Sequence, residues 1–240
     1  MGSSSDTMKD IRLPFCTAVI VAGGNSVRFG ADKLFADLEG VPVLGRTILA
    51  FAEADCIQEI VVVARQDAAE YTAKLGRTYG GGKISQVVFG GKTRVMSAYA
   101  GVMAACERAE LIAIHDGARP LVTQGIIRDA VWAAYRGMAA APAVPVRDTI
   151  KVASDGTVTS TPDRSSLFSV QTPQVFRAEI IKAALADAVA NVPDVTDDCA
   201  AAERIGAPVT LTAGSEENIK ITTPLDLELA EAILRRRCAI

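Results

Sequence analysis

The chain has 240 residues, 50% of them hydrophobic, with 25 basic and 28 acidic side chains and a formal net charge of −3. That length permits one large domain or two small ones, and the apolar content supports a sizeable core and excludes wholesale disorder. The acidic balance argues against a general nucleic-acid binder or a membrane-surface protein, both of which present a basic face, and leaves room for an anionic small molecule held by a few local cations.

The five cysteines, Cys16, Cys56, Cys106, Cys199 and Cys238, are widely spaced, with no C-x-x-C pair and a single histidine in the chain. That pattern disfavours zinc ligation. The apolar or helical settings of the cysteines suit reduced core thiols in the cytoplasm. The opening MGSSSDTM lacks the apolar centre of a signal peptide, so residues 1–14 read as a disordered tail or an artificial extension, with Met8 a candidate native start. No apolar run is long enough to span a bilayer. The expectation is a soluble, cytoplasmic protein.

From residue 15 onward, β-rich runs alternate with helical ones. Strands are predicted over 17–22, 59–64, 84–89, 111–114, 139–143 and 208–212. Helices are predicted over 43–54, 68–75, 93–108, 124–136, 178–190, 197–205 and 224–236. Several strands are continuously apolar, as strands covered on both faces of a mostly parallel sheet are. In the last helix Leu225, Leu227, Leu229, Ala230 and Ile233 recur mainly at three- and four-residue spacing and predict a docked apolar face. The alternation predicts a three-layer α/β fold with right-handed crossovers, formed as a single domain over 15–240.

Residues 147–168, RDTIKVASDGTVTSTPDRSSLF, depart from this pattern. They read as two alternating strands about Asp155-Gly156, a type I′ hairpin signal. The segment has too little apolar content for its own core, so it reads as an arm projecting from the domain. A partner-contacting element and an ordinary surface hairpin fit that pattern equally.

The first strand runs into the loop of AVIVAGGNSVRFGADK, residues 18–33. Gly23 and Gly24 let a ligand approach main-chain N–H groups, which suit phosphate oxygens, and Arg28 and Lys33 follow with positive charge. The loop opens at the carboxyl edge of the sheet, where open α/β sheets bind ligands. A tight turn with two solvated cations fits the composition as well. The spacing matches neither G-x-x-x-x-G-K-[ST] nor G-x-G-x-x-G, which argues against a P-loop ATPase and a dinucleotide oxidoreductase.

IAIHDGARPLV, residues 112–122, sets Asp116 and Arg119 just beyond another apolar strand. Asp116 has the chemistry of a Mg²⁺ ligand, direct or through water, and Arg119 that of a bidentate phosphate binder. A turn cap by Asp116 with Arg119 as its ion-pair partner fits equally. His115 reads as a packed or capped residue without chemistry. NIKITTPLDLELAEAIL, residues 218–234, places Lys220 in a short apolar run before a Pro-started helix.

The glycine loop, GGKTRVMSAYAG, HDGARP, VRDT, DRSSLF, TPQ, TDD and NIKIT stand in this order along the chain. Together they closely resemble the 2-C-methyl-D-erythritol 4-phosphate cytidylyltransferase family, sugar-phosphate nucleotidyltransferases of non-mevalonate isoprenoid biosynthesis, over residues 16–234. The resemblance implies a Rossmann-like, nucleotidyltransferase-type fold. It also implies transfer of CMP from CTP to the methylerythritol phosphate, giving CDP-methylerythritol and pyrophosphate, with Mg²⁺. Carried over by motif, Ala22, Gly23, Gly24 and Asn25 line CTP, and Gly90, Gly91 and Ser97 lie near its base and ribose. Arg28, Lys33 and Lys220 act on the phosphates as catalytic cations. Asp116 sits by the metal and the substrate, with Arg119, Thr149, Arg164 and Thr196 at the acceptor. Thr149 and Arg164 fall on the hairpin, which the resemblance makes a dimerisation arm, residues 147–170, completing the neighbour's pocket in a homodimer. The implied partners are CTP and a polyol phosphate, with no nucleic acid and no membrane. An acceptor phosphate is already ionised near neutral pH, so the chemistry asks for positioning and charge stabilisation rather than a protein nucleophile.

The sequence departs from that family pattern at two places. The family loop usually runs Arg, a spacer, then Pro-Lys-Gln; here the spacer is shorter and Lys33 stands in Ala31-Asp32-Lys33-Leu34, with a carboxylate beside the cation. Gly91-Lys92 stands where the family often has Gly-Asp. The RFGADK spacing also resembles molybdenum-cofactor nucleotidyltransferases, against which GGKTRVMS and the VRDT…TPQ arm count. A ribitol-5-phosphate cytidylyltransferase, with the same fold and chemistry, and a nucleotide-binding protein of weakened activity also fit these residues.

Overall fold

The apolar run at residues 16–22 forms an interior strand of an eight-stranded sheet in the computed structural model, which describes residues 14–24, 32–192 and 194–238. The elements are β1 (Cys16–Ala22), β2 (Asp37–Leu38), β3 (Val41–Pro42), α1 (Val43–Ala52), β4 (Glu59–Ala64), α2 (Ala69–Tyr79), β5 (Ile84–Phe89), α3 (Arg94–Met103), β6 (Leu111–Asp116), α4 (Gln124–Arg136) and β7 (Ala139–Pro145). They continue with β8 (Val152–Ser154), β9 (Thr157–Ser160), β10 (Phe168–Val170), β11 (Gln174–Arg177), α5 (Ala178–Asn191), α6 (Asp198–Arg204), β12 (Val209–Ala213) and α7 (Pro224–Cys238).

Successive side chains of β1 point to opposite faces, and both faces are covered. Ala18 and Ile20 join a core with Leu44, Ile48 and Phe51 of α1, Leu75 of α2 and Ile127 of α4. Val19 joins a second core on the other face with Val102 of α3, Leu185 of α5 and Ala202 of α6. These two cores make the three layers that the sequence predicts. A smaller cluster seats α7: Ala230 and Ile233 pack with Leu38, Leu121 and Ile221, and Leu227 packs against them. Leu225 and Leu229 are exposed instead, so the docked stripe of α7 is narrower than its spacing suggests.

β1 pairs in parallel with β4 and β6, β4 with β5, and β7 with β12. β11 lies antiparallel between β6 and β7, and β10 pairs antiparallel with β7. The sheet is mostly parallel, as expected, but β11 has no counterpart among the predicted strands. Its four residues run straight into α5 without turn chemistry, and long-range pairing with Ile112 and Ala113 fixes them. β6 is also longer than predicted, because Asp116 still pairs with Val21.

Between β7 and β10 the chain makes the expected hairpin. Asp155 and Gly156 have φ of 50° and 78°, the positive values that a type I′ turn requires at both central residues. Every residue of β8 and β9 is exposed, so this arm has no core of its own. Cys16, Cys56 and Cys199 are buried free thiols, and burial pushes Cys16 well above its ordinary pKa. Cys238 is exposed at the end of α7, which corrects its reading as a core thiol. Among the described residues, no helix is long and apolar enough to cross a membrane.

Candidate functional site

After β1 the chain builds β4 and β5 on one side, then returns to place β6 on the other, so the strand order reverses at β1. Open α/β sheets bind ligands at the carboxyl ends of strands beside such a reversal. A cavity of about 520 Å³ occupies that place. Gly23, Gly24 and Lys33 line one part of it, Gly90, Gly91 and Arg94 another, and Asp116 and Lys220 also border it. The glycine loop thus leaves β1 at the edge that the sequence predicts.

Asp116 is the electrostatic centre of this cavity. The residue is 8% exposed, and its carboxylate has Lys220 Nζ at 3.0 Å, Arg119 Nε at 3.3 Å and Arg94 Nη2 at 3.9 Å. Burial alone would push the carboxyl up, but Lys220, Arg94 and Arg119 outweigh it and hold Asp116 well below the usual carboxylate range. The segments carrying these charges are laced together. Arg119 Nη1 donates to the Asn218 carbonyl at 2.8 Å, and Ile221 N donates to the Ala118 carbonyl at 2.8 Å. Asn218 Nδ2 donates to the Thr172 carbonyl at 3.0 Å. The fully buried Ile221 therefore anchors Lys220 beside Asp116.

His115 supports this arrangement from beneath. Its Nε2–H faces the Arg119 carbonyl at 3.1 Å, which leaves Nδ1 to accept from Thr172 Oγ1 at 2.9 Å. Thr172 Oγ1 in turn accepts from Asp116 N at 3.2 Å. Burial lowers the His115 pKa to about 4, so the ring is neutral. The packed reading of His115 holds: it orients the Asp116–Arg119 turn.

Arg94 is a site residue to which the motif reading gave no role. It borders the cavity and forms a bidentate pair with Asp198, Nη1 to Oδ1 at 2.9 Å and Nη2 to Oδ2 at 2.7 Å. Asp198 is wholly buried, and burial pushes its carboxyl up against the pull of Arg94. Gln174 Oε1 accepts from Asp198 N and Cys199 N, both at 3.0 Å, and fixes this end of α6. A local signal for the pair does exist. Arg94 is the first residue of α3, where a cation opposes the helix dipole and needs a compensating anion.

On the neighbouring wall, Ser97 Oγ accepts from Gly91 N at 3.1 Å and donates to the Thr93 carbonyl at 2.9 Å. A Cβ on Gly90 would lie 2.8 Å from Ser97 Oγ, and one on Gly91 would lie 2.3 Å from Met96 Cβ. Glycine is therefore required for this turn to close onto α3. Among the other predicted site residues, Ala22 closes β1 and borders the cavity. Thr149 and Arg164 are exposed on the arm segment, where Arg164 Nη1 donates to the Arg147 carbonyl at 2.8 Å. Thr196 is exposed just before α6. These three do not border the cavity. Asn25 and Arg28 lie outside the described residues.

A three-layer α/β sheet with a cation-rich cavity at its switch point defines a class of enzymes that act on phosphorylated ligands. Comparison with known proteins narrows the class. Residues 16–236 match the family model for 2-C-methyl-D-erythritol 4-phosphate cytidylyltransferase. The enzyme of that name from Caldanaerobacter subterraneus subsp. tengcongensis is 45% identical over 225 residues, covering 92% of this chain and 99% of the relative. The one from Alkaliphilus oremlandii is 41% identical, covering 92% and 95%. The crystal structure of 4-diphosphocytidyl-2C-methyl-D-erythritol synthase from Anaerococcus prevotii superposes with a TM-score of 0.83 at 31% identity, covering 92% of this chain and 96% of that one. The chain belongs to the 2-C-methyl-D-erythritol 4-phosphate cytidylyltransferase family, and is thus a nucleotidyltransferase.

Proposed function

We propose that this cavity transfers CMP from CTP to 2-C-methyl-D-erythritol 4-phosphate, yielding CDP-methylerythritol and pyrophosphate in isoprenoid biosynthesis. The observation that carries the reading is the Asp116–Lys220 contact, in the same switch-point cavity as Lys33 and the glycine edge of β1. The triphosphate lies along Ala22, Gly23, Gly24 and Asn25, with Arg28 and Lys33 at its oxygens. The base and ribose rest toward Gly90, Gly91 and Ser97.

Among the described residues, no three His, Cys, Asp or Glu side chains converge as a metal cage. Mg²⁺ does not need one, since it binds through one or two carboxylates together with water and substrate phosphates. Asp198 is fully buried and does not border the cavity, whereas Asp116 does, so Asp116 is the carboxylate that would hold the ion. When bound, Mg²⁺ neutralises phosphate charge.

The protein's own residues bring two anions together. An oxygen of the acceptor phosphate attacks the α-phosphorus in line. The new P–O bond forms as the bond to the α–β bridging oxygen breaks, and that electron pair leaves with pyrophosphate. No proton has to be removed, so a neutral, buried His115 fits this chemistry. Lys33, Arg28 and Lys220 stabilise the charge that builds in the transition state.

Arg119, Thr149, Arg164 and Thr196 serve the acceptor, with Thr149 and Arg164 delivered by the arm of a second copy in a homodimer. Uniform exposure of β8 and β9, with Val152 and Val158 about half exposed, supports that role for residues 147–170. The working unit is then a cytoplasmic dimer of one domain over 15–240. The reading is tested by incubating the protein and Mg²⁺ with each nucleoside triphosphate and each polyol phosphate and measuring pyrophosphate. Turnover requires CTP with methylerythritol phosphate; preference for ribitol 5-phosphate or GTP would replace it.

A further inference from the structure

Asp32 directly precedes Lys33, where a free carboxylate would weaken the lysine's attraction for phosphate. The structure shows where that charge is held. Arg65, the residue after β4, directs its guanidinium three ways. Nη2 donates to Asp32 Oδ2 at 2.5 Å, Nη1 to the Gly24 carbonyl at 3.3 Å and Nε to Asp67 Oδ1 at 3.1 Å. The hydrogen bond to Asp32 is the main cause that raises the Arg65 pKa.

Gly24 and Asp32 stand on the two limbs of the glycine loop, one leaving β1 and one returning. The returning limb is a built turn. Asp32 Oδ1 accepts from Leu34 N at 3.2 Å, and the Asp32 carbonyl accepts from Phe35 N at 3.0 Å. Leu34 is buried, and its carbonyl accepts from Leu44 N of α1 at 2.9 Å. Lys33 therefore follows a residue held by Arg65 and precedes one held in the core. A planar guanidinium can span two limbs in different directions, whereas an ammonium acts as a point charge.

We propose that Arg65 is a positioning residue: it staples Gly24 to Asp32, closes the base of the glycine loop, and thereby aims Lys33 at the triphosphate while neutralising Asp32. The proposal rests on the reading of this loop as the CTP phosphate site. A competing role is direct contact between Arg65 and phosphate, since Arg65 also borders the cavity. The two roles predict opposite effects of removing the Asp32 charge. A phosphate ligand freed from Asp32 would bind CTP more tightly; a staple deprived of Asp32 would bind it more weakly.

The experiment compares steady-state kinetics of Asp32→Asn, Arg65→Gln, Arg65→Lys and the Asp32→Asn/Arg65→Gln double variant, with Lys33→Ala in parallel. The staple predicts that both single changes lower kcat/KM for CTP by about tenfold, because misplacement of a reacting group is costly. The double variant should fall within about twofold of either single, as for residues acting as a unit. KM for the acceptor should not move, and Arg65→Lys should fail to rescue although it keeps the charge. Tighter CTP binding in Asp32→Asn, wild-type kinetics in Arg65→Lys, multiplicative losses, or lowered thermal stability without a selective CTP defect would each overturn the staple. Lys33→Ala separates the two layers. If it leaves CTP kinetics intact, the phosphate-loop reading fails. If it alone is impaired, only the staple fails.

Discussion

Lys220 Nζ lies 3.0 Å from Asp116 Oδ2, so a lysine from the segment before α7 meets the carboxylate that ends β6. A triphosphate with its metal ion would compete for both partners at once. On the proposed reading Lys220 exchanges the carboxylate for phosphate, and its main contribution is to the transition state. Lys220→Ala should lower kcat by about a hundredfold, the usual loss for a single donor aimed at developing charge. Stability should scarcely change, because Arg119 and Arg94 still balance Asp116 and Lys220 is 41% exposed. Steady-state kinetics and thermal melts check the pair of outcomes.

His115 makes a distinct pH signature. Its folded pKa of about 4 lies below the ordinary value of 6.5, so the unfolded chain binds the extra proton first. Its contribution is fully present above pH 6.5 and is lost as pH falls toward 4, a total of about 3 kcal/mol. Asp116 keeps its contribution until the ordinary carboxylate range is reached, since its folded pKa is depressed. Asp198, pushed up by burial, acts in the opposite sense. The difference in urea stability between the wild type and His115→Gln isolates the histidine. That difference should shrink between pH 6.5 and 4, and a pH-independent difference would contradict a neutral, buried ring.

The Arg94–Asp198 pair joins α3 to α6 across 104 residues of sequence. Arg94→Ala leaves a fully buried carboxylate without its partner and should cost about 4 kcal/mol. Replacing both residues, as Arg94→Met with Asp198→Leu, should recover most of that loss. The recovered protein should remain impaired in activity, because Arg94 also borders the cavity and stands 3.9 Å from Asp116. Urea melts and kcat measured on the same preparations separate the two effects.

The legible parts of this molecule were those with local causes. The predicted bounds of β4, β5 and α4 match the structure; a nearly continuous apolar run marks β4 and a clear helical stripe marks α4. Asp155-Gly156 specified its turn through backbone conformation alone. The glycine edge, Asp116 and Lys220 were legible because each closes or follows an apolar segment at the sheet edge. β11 was not, since its pairing partners in β6 lie some sixty residues earlier, as Gln174 opposite Ile114 shows. The Arg65–Asp32 pair was hidden for the same reason, and so was the partner of Arg94: its place at the start of α3 signals a need for an anion but not which one. A charge carries no sequence mark of the distant charge that neutralises it.

The arm yields a prediction about assembly. On the proposed dimer, Arg164→Ala should raise KM for the acceptor while leaving KM for CTP nearly unchanged. Replacing the exposed Val152 and Val158 with serine should shift the protein toward monomer in light scattering. An acceptor KM equal to that of the wild type in Arg164→Ala would contradict delivery of this residue by the arm.

The central claim is that the switch-point cavity moves the α-phosphoryl group of CTP, with its nucleoside, onto an acceptor phosphate. The most direct measurement follows the label from CTP carrying radioactive phosphorus at the α or the γ position, in a single turnover with methylerythritol phosphate and Mg²⁺. The account predicts α-label in CDP-methylerythritol and γ-label in pyrophosphate. Transfer of γ-label to the acceptor, or retention of both labels in CTP, would contradict it.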